Sequence, residues 1–552
     1  MAAKFQFKPY MLFFILLAIV IAGGVWWWNQ HKYGLIKTES SEHIFSKSNG
    51  LYRMRYEKLN LDEVNGNLKV TNLYIIPDSF RYRELMDTKD NPSMFVRIFI
   101  PELIVRGVKT PKAMINKNVE GRRLEITKPE ITFYFAAKAK DSLNKKEEKA
   151  IYEQLLGDLN LISVDTITVN EAKILFMDFD DNREIARTSN VTVTLNDVLV
   201  DSAHSKDDNR FFFSKKTHFT ADSFKIESKD NAYRFEADSI DFSSLDQSFY
   251  LKSFNVVPLL GEAAYAKFVK LQKDRFNIRS KDIRINGVDI GLLQMGSLVA
   301  KEMRLGSISL KIFRDLSYPR DKKNRVGTYP QQALIKVPFP IAISRLVAGP
   351  ADIELKQKNP KSDQRGEILF LNSSIDANNI TNIQELIDKD NHLKIRARTS
   401  FMGLSNVNAL FDLRLKDPQG RFSLNGTAGG FDAVRLNEVL EPLGLAKIEK
   451  AKVNKLTFNL NFTDYVGSGT VVLLYDDLKL SVLKKDSVEN KIEKKKLMSF
   501  ISNLILKDAN PLRGKLRVAK PTFQRDQNRS FFHLIWFTIF TGVKETVGMD
   551  KK

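Results

Sequence analysis

The chain has 552 residues, 86 basic against 66 acidic side chains, a net charge of +20 and no cysteine. The missing thiol excludes disulfide staples, a thiolate nucleophile and any cysteine-ligated metal. Nucleic-acid binding calls for a concentrated basic stripe on a recognisable module, and neither is visible, so no nucleic acid is expected as a partner. A surplus of positive charge spread over a mixed surface suits anionic lipid headgroups better.

Lys4, Lys8 and Pro9 precede an uncharged apolar run from Tyr10 to Trp28. As a helix this run reaches about 28 Å, the thickness of a bilayer's hydrocarbon core. Trp26, Trp27 and Trp28 then stand where indole rings favour the headgroup layer, and they are the expected membrane-interface residues. The alternative is a cleaved leader ending at Val20-Ile21-Ala22 before Gly23. Either reading carries the rest of the chain across a membrane. Lys4 and Lys8 are answered by Lys32 and Lys37, so charge sets orientation only weakly.

Beyond the anchor, short stretches alternate apolar and polar residues with the period of a strand. Leu124/Ile126, Ile131/Phe133/Phe135, Val191/Val193/Leu195, Ile283/Ile285, Ile308/Leu310/Ile312 and Phe422/Leu424 are examples, and Leu456, Phe458, Leu460, Phe462 is the cleanest. Turn chemistry separates such stretches at Asn65-Gly66, Asp180-Asp181-Asn182, Asn286-Gly287 and Asp417-Pro418-Gln419-Gly420. The pattern predicts a mainly β chain: a long antiparallel meander with one apolar face. Strand–turn–strand units are expected at 66–76, 282–291 and 302–313.

Helical sequence is scarce. Amphipathic helices are expected at Lys145–Leu159 and Leu259–Phe276, and a short one at Leu436–Leu443 interrupted by Pro442. Lys484–Lys496 reads as a charged linker or a solvated helix start, leading into an apolar-striped helix at Leu497–Leu506. Phe531–Val543 is apolar nearly all round and too short to span a bilayer, so it either caps one end of the sheet or lies in a membrane interface.

No constellation suggests catalysis. The six histidines are scattered without an i, i+4 pair, and there is no phosphate loop, dinucleotide fingerprint or nucleophile elbow. Asp178, Asp180, Asp181 and Glu184 lack the glycine and glutamate of a calcium loop and read as a hairpin turn. Gly467-Ser468-Gly469 reads as a bend. Catalytic, cofactor and metal sites are therefore all expected to be none.

What remains is the apolar face. Helices are too few to cover a sheet of about 20 strands, which at ~4.8 Å spacing would run near 95 Å uncurled. The sheet either folds on itself into a closed core or curves around an apolar groove open to a ligand. The groove reading names Ile283, Ile285, Ile308, Leu310, Leu456, Phe458, Leu460 and Phe462 as lining residues.

One stretch adds a resemblance. From Gly420 to Leu483 there is a strand ending at Gly426, a short helix with Leu436-Asn437 and Pro442, the strand pair KIEKAKVNKLTFNL, and GTVVLLYDDLKL. This order of parts resembles the C-terminal part of AsmA-like envelope proteins, as do residues 503–520 and the aromatic terminus. The resemblance implies a single-pass inner-membrane protein with its bulk in the periplasm. It further implies a long curved antiparallel β groove with few short helices, phospholipid or another acyl lipid as cargo, other envelope proteins as partners, and no enzyme activity. Its role would be phospholipid transport or outer-membrane assembly. The alternative is an envelope scaffold with a closed β core and no lipid cargo. The expected organisation is a cytoplasmic tip and anchor at 1–31, a groove domain at 32–483 (AsmA-like from about 420), and a linker, helix and apolar cap at 484–552.

A retained anchor makes a direct prediction. The full chain should stay in the membrane fraction through a carbonate wash, and N-terminal sequencing should begin near Met1. A mature chain starting at Gly23 would refute it.

Overall fold

The computed structural model describes residues 50–86, 94–109, 117–135, 156, 159–204, 207, 209–360, 364–443, 446–485, 492–494 and 507–549. The expected anchor with Trp26, Trp27 and Trp28, nearly all of Lys145–Leu159, most of Lys484–Lys496 and all of Leu497–Leu506 lie outside them. The fold is mainly β, with few short helices. Among the described residues no helix is long and apolar enough to cross a membrane. The chain divides into two compact units, Met1–Glu227 with Glu236–Tyr250, and Ser228–Phe235 with Leu251–Lys552.

In the first unit β1 (Tyr52–Arg55) and β2 (Lys58–Asp62) both pair with β3 (Asn67–Pro77). A short helix α1 (Ser79–Met86) leads to β4 (Met94–Arg106), which pairs with β3 on one side. On its other side lie β5 (Asn118–Thr127) and β6 (Glu130–Phe135), then β7 (Leu161–Asp178), β8 (Glu184–Val200) and β9 (Ser214–Glu227). β10 (Tyr233–Ser243) and β11 (Ser248–Pro258) are each divided between the units.

The second unit continues with α2 (Glu262–Val269), β12 (Arg275–Asn286), α3 (Ile290–Gln294), β13 (Leu298–Leu305) and β14 (Ile308–Asp315). Then follow α4 (Pro330–Ile335), β15 (Ile341–Lys358), β16 (Arg365–Thr381), α5 (Gln384–Lys389), β17 (His392–Phe401), β18 (Ser405–Arg414) and β19 (Phe422–Ala428). After β20 (Phe431–Asp432) come α6 (Asn437–Leu443), β21 (Ala446–Phe462), β22 (Val466–Lys485), β23 (Ile492–Lys494), β24 (Thr522–Gln524) and α7 (Phe531–Thr546). From β15 to β22 the strands pair antiparallel as near neighbours in sequence, with β20 added beside β21 and β23 and β24 beside β22.

The sheets are mixed, which corrects the purely antiparallel expectation. β5 and β6 both run parallel to β7, and β13 and β14 both run parallel to β15. A parallel pair cannot be joined by a tight turn, so the chain crosses over between the two strands. In the second unit that crossover is residues 316–340 and carries α4. The same scheme occurs in both units with the same register. Asn118 stands opposite Leu161 and Phe135 opposite Asp178, as Leu298 stands opposite Ile341 and Asp315 opposite Lys358. One arrangement is thus used twice.

The expected hairpins at 66–76 and 302–313 are not hairpins. Asn67–Pro77 is one strand kinked at Asn72 (φ 51°), and β13 and β14 are collinear halves of one strand line broken at Gly306-Ser307. At 282–291 the chain turns after Asn286 into α3, whose N-cap Asp289 accepts a 2.9 Å bond from the Leu292 N–H. The helix expected at Leu259–Phe276 is only α2, because Lys270 adopts a left-handed conformation (φ 54°) and Arg275 begins β12. The acidic turn at 180–182 does join β7 to β8, and Gly467–Gly469 lies within β22.

Small residues make room for large ones along this sheet. Gly426 stands opposite Phe458, and a Cβ there would come within 2.4 Å of the Phe458 ring and 2.6 Å of the Asn408 carbonyl oxygen. Gly426→Val should therefore destabilise the fold by about 1–3 kcal/mol. A lower urea midpoint checks this, and Phe458→Ala in the same chain should recover part of the loss. An unchanged midpoint would show that β18 and β19 can part without cost.

Candidate functional site

Register places the apolar side chains in rows that run across the strands. In the second unit one row reads Ile285, Met303, Leu346, Ala377, Ile395, Phe411, Leu424, Leu460, each opposite the next on the adjoining strand. A second row reads Leu305, Ala348, Ile375, Ala397, Ala409, Gly426, Phe458, Val471. A third, shorter row reads Ile278, Leu310, Ile353, Phe370, Phe401. Cross-strand neighbours share a face, so these rows form one apolar surface. The opposite face carries Lys394, Arg396, Arg398, Asn406 and Asn408, all exposed.

The first unit repeats the device. Val70, Leu103, Ile126, Val169, Val193 and Phe219 form one row, and Ile75, Ile98, Ile131, Ile174, Thr188 and Phe224 another. These rows belong to one continuous cluster in which Phe133, Ile162, Leu195 and Val200 are fully buried.

Consecutive rows are an odd number of residues apart along each strand line, β5 and β6 counted as one: Val70 and Ile75, Ile126 and Ile131, Val169 and Ile174. In a regular strand an odd separation puts two side chains on opposite faces. In β3, β5–β6, β7 and β8 a left-handed residue resets the alternation between them: Asn72, Lys128, Glu171 and Asn190 respectively. Asn tolerates this conformation comparatively well. The kinked side chains face outward and pair there, Lys128 with Glu171 at 3.4 Å and Asn190 with Asp222 at 2.5 Å. The second unit has a seam of its own, with Asp282, Gly349 and Asn372 all at positive φ.

The sequence-predicted lining residues fall on this surface, in different surroundings. Ile285 and Leu460 stand at the two ends of one row, Phe458 in the next, and Leu310 in the third. Ile308 lies beside Ala351, and Ile283 is buried on β12 two residues before Ile285. Along β21, Phe458, Leu460 and Phe462 are buried, Leu456 is half-buried, and Thr457, Asn459 and Asn461 are exposed. The alternation read from the sequence is thus the alternation observed.

The β21 set lies beneath α7. Phe531, Leu534, Ile535, Thr538, Gly542 and Thr546 form the helix's buried face. Phe531 packs on Phe422 (4.8 Å between ring centres) and on Tyr329 (5.1 Å). Gly467 and Gly542 permit the approach, since a Cβ on Gly467 would meet Thr538 Oγ1 at 2.4 Å and one on Gly542 would meet Val471 at 2.5 Å. The apolar terminal segment caps this end of the surface.

A buried polar latch holds the cap. Arg525 and Asp464, almost wholly buried, are paired at 3.1 Å. Arg525 also donates to the carbonyl oxygens of Asp464, Arg325 and Arg529, and its guanidinium lies 4.5 Å over the Tyr329 ring. Asp464 further accepts from Gln332 Nε2 at 2.6 Å and from the Gly327 N–H at 3.1 Å. A desolvated pair is tolerable only when its remaining donors and acceptors are largely satisfied, and these contacts come from the crossover, the β21–β22 turn and the chain entering α7.

Away from the cap the surface opens. Leu310, Ile353, Phe370 and Phe401 are half-buried, and Phe276, on β12 beside Ile278, is 38 % exposed. Trp536 of α7 stands 6.3 Å from Phe401 at this boundary. Sequence reasoning missed Ile353, Phe370, Phe401 and the long rows. Their apolar residues sit on strands whose alternation breaks at the kinks, and only the register reveals which face they share. Among the described residues no group of three or more His, Asp or Glu side chains is placed to hold a metal ion.

No protein-family model matches the chain, and no curated protein is significantly similar to it.

His533, near the start of α7, stacks on Phe537 at 4.3 Å. Burial, reinforced by Arg529, pulls its pKa from 6.5 down to about 4. The unfolded chain therefore takes up a proton at a pH where the folded chain does not. The contribution of neutral His533 to stability is complete above pH 6.5 and is lost as pH falls towards 4. His533→Gln should flatten that part of the stability–pH curve, read from denaturation midpoints across the window. An identical slope in the variant would assign the acid loss to other groups.

Proposed function

We propose that this chain shields lipid acyl chains: a membrane-anchored protein of the bacterial envelope whose apolar rows serve as a track in phospholipid transport or outer-membrane assembly. The observation that carries the reading is the third row of the second unit. There a continuous apolar surface passes from capped and buried to half-exposed at Leu310, Ile353, Phe370 and Phe401. Each acyl CH₂ withdrawn from water is worth about 0.8 kcal/mol, so such a surface lowers the main barrier to moving a lipid through an aqueous space. The resemblance of Gly420–Leu483 to AsmA-like proteins and the apolar run Tyr10–Trp28 support the same reading. On this reading the anchor sits in the inner membrane and the bulk of the chain in the periplasm. Chemistry is no part of this role, and the chain acts without a cofactor.

One observation favours the second reading, a scaffold with a closed core and no cargo. The apolar core that the first unit's rows belong to includes side chains with no exposure at all, such as Phe133 and Leu195. A surface already covered by its own chain has nothing to offer a ligand.

Photo-crosslinking separates the two. A crosslinking residue at Phe370, on the apolar face, should capture lipid in cells, and one at Arg396, on the opposite face, should not. Mass spectrometry of the adducts identifies the cargo. Equal capture at both positions contradicts a one-sided track. Capture at neither, in a chain with unchanged circular dichroism, favours the scaffold.

A further inference from the structure

The buried face of α7 holds only three of its nine apolar side chains, Phe531, Leu534 and Ile535. Phe532, Trp536 and Phe540 are 70 %, 45 % and 40 % exposed. They lie at i, i+4 and i+8, so they form one stripe along the outer side of the helix. Three large aromatic rings turned to solvent on a helix that is otherwise well packed are not needed for the cap, and a contiguous apolar patch usually marks an interaction surface.

The surroundings of the stripe state what would cover it. The segment 509–525 runs beside α7: Arg517 Nε donates to the Thr546 carbonyl oxygen at 2.8 Å, and Phe523 stacks on Phe537 at 5.5 Å. This segment contains Arg513, Lys515, Arg517, Lys520 and Arg525 and no acidic residue. Arg517 and Arg525 point inward, and Arg513, Lys515 and Lys520 are exposed, flanking the exposed apolar side chains of Leu516 and Val518. On the helix itself Lys544 lies 5.2 Å over the ring of Phe540. Acidic groups near the other end are matched, Asp526 by Arg529 at 3.8 Å and Asp464 by Arg525.

Aromatic rings, a tryptophan among them, bordered by lysine and arginine that pair with no acidic group among the described residues, are the combination that partitions into an anionic membrane interface. A protein partner of matching chemistry would need an acidic rim around an apolar pocket, whereas a bilayer supplies both in one plane. We propose that the outer face of α7, with Phe532, Trp536 and Phe540 inserted and Arg513, Lys515 and Lys520 on the headgroups, docks the second unit onto the surface of an anionic lipid bilayer. The docking does not depend on whether the apolar rows carry lipid.

The sequence provides its own probe. Of the four tryptophans, three are Trp26, Trp27 and Trp28, so replacing those by phenylalanine in the full chain leaves Trp536 as the single indole. The test measures quenching of Trp536 by vesicles whose lipids carry brominated acyl chains. One set mixes phosphatidylglycerol with phosphatidylcholine, and the other is phosphatidylcholine alone. The anionic vesicles should quench strongly and the neutral ones weakly. Replacing Arg513, Lys515 and Lys520 by alanine should weaken vesicle affinity by roughly 10- to 100-fold. Replacing the exposed Phe532 and Phe540 by serine should abolish quenching while circular dichroism is unchanged. Absence of quenching by anionic vesicles overturns the proposal. So does equal quenching by both vesicle types that ignores the three cations, the signature of acyl chains entering the apolar rows beside Phe401. A Trp536 that becomes shielded from acrylamide as protein concentration rises, without lipid, also overturns it and assigns the stripe to a second copy of the chain.

Discussion

Everything in this fold depends on keeping apolar side chains on one face of strands too long to stay regular. A strand alternates strictly, and a single inserted residue sends every later side chain to the wrong side. Strands such as β7 and β15 twist and bend as they lengthen, so the alternation must be reset part-way. The resetting is done by residues at positive φ, Asn72, Lys128, Glu171 and Asn190 in one unit and Asp282, Gly349 and Asn372 in the other. Because these fall at matching register on neighbouring strands, the kinks form a seam and the rows on either side stay in line. Without the seam, Ile131 and Ile174 would face solvent and Thr132 and Lys173 would face the core.

The recurrence of the scheme in both units gives it a physical logic. A split strand whose two halves both pair with the same parallel neighbour can bend at the split without losing its ladder, because backbone bonds continue through the break. Lys128 donates to Asn170 and Lys173 to Pro129 across the first split. The parallel partner obliges the chain to cross over, and in the second unit the crossover becomes useful. It supplies Tyr329, Gln331 and Gln332 to the latch around Asp464 and Arg525. Bending, crossing over and capping are therefore linked consequences of one arrangement.

α7 shows how a segment of uniform composition is divided by its setting. Its sequence is apolar nearly all round, so composition alone does not say which residues are buried. Glycines and alternation on β22 select Leu534, Ile535 and Thr538 for the inside, and helical geometry then leaves Phe532, Trp536 and Phe540 outside. The same geometry buries His533, and that burial, reinforced by the charge of Arg529, disfavours its protonation.

By itself the sequence determined the class of structure and the finest local pattern. Period-two alternation at Leu456–Phe462 specifies a strand with one apolar face, Asn65-Gly66 and Asp417–Gly420 specify turns, and the scarcity of helical sequence specifies a mainly β chain. These are local properties, set by residues a few positions apart. Tertiary structure alone decided which strands are continuous, because a left-handed Asn72 within a strand and an Asn-Gly turn between strands look alike in a short window. It alone decided that β5 and β6 lie parallel to β7, since pairing depends on contacts between residues far apart in the chain. It alone joined Ile285 to Leu460 in one row, for register across eight strands is a property of the assembled sheet and leaves no mark on any single strand.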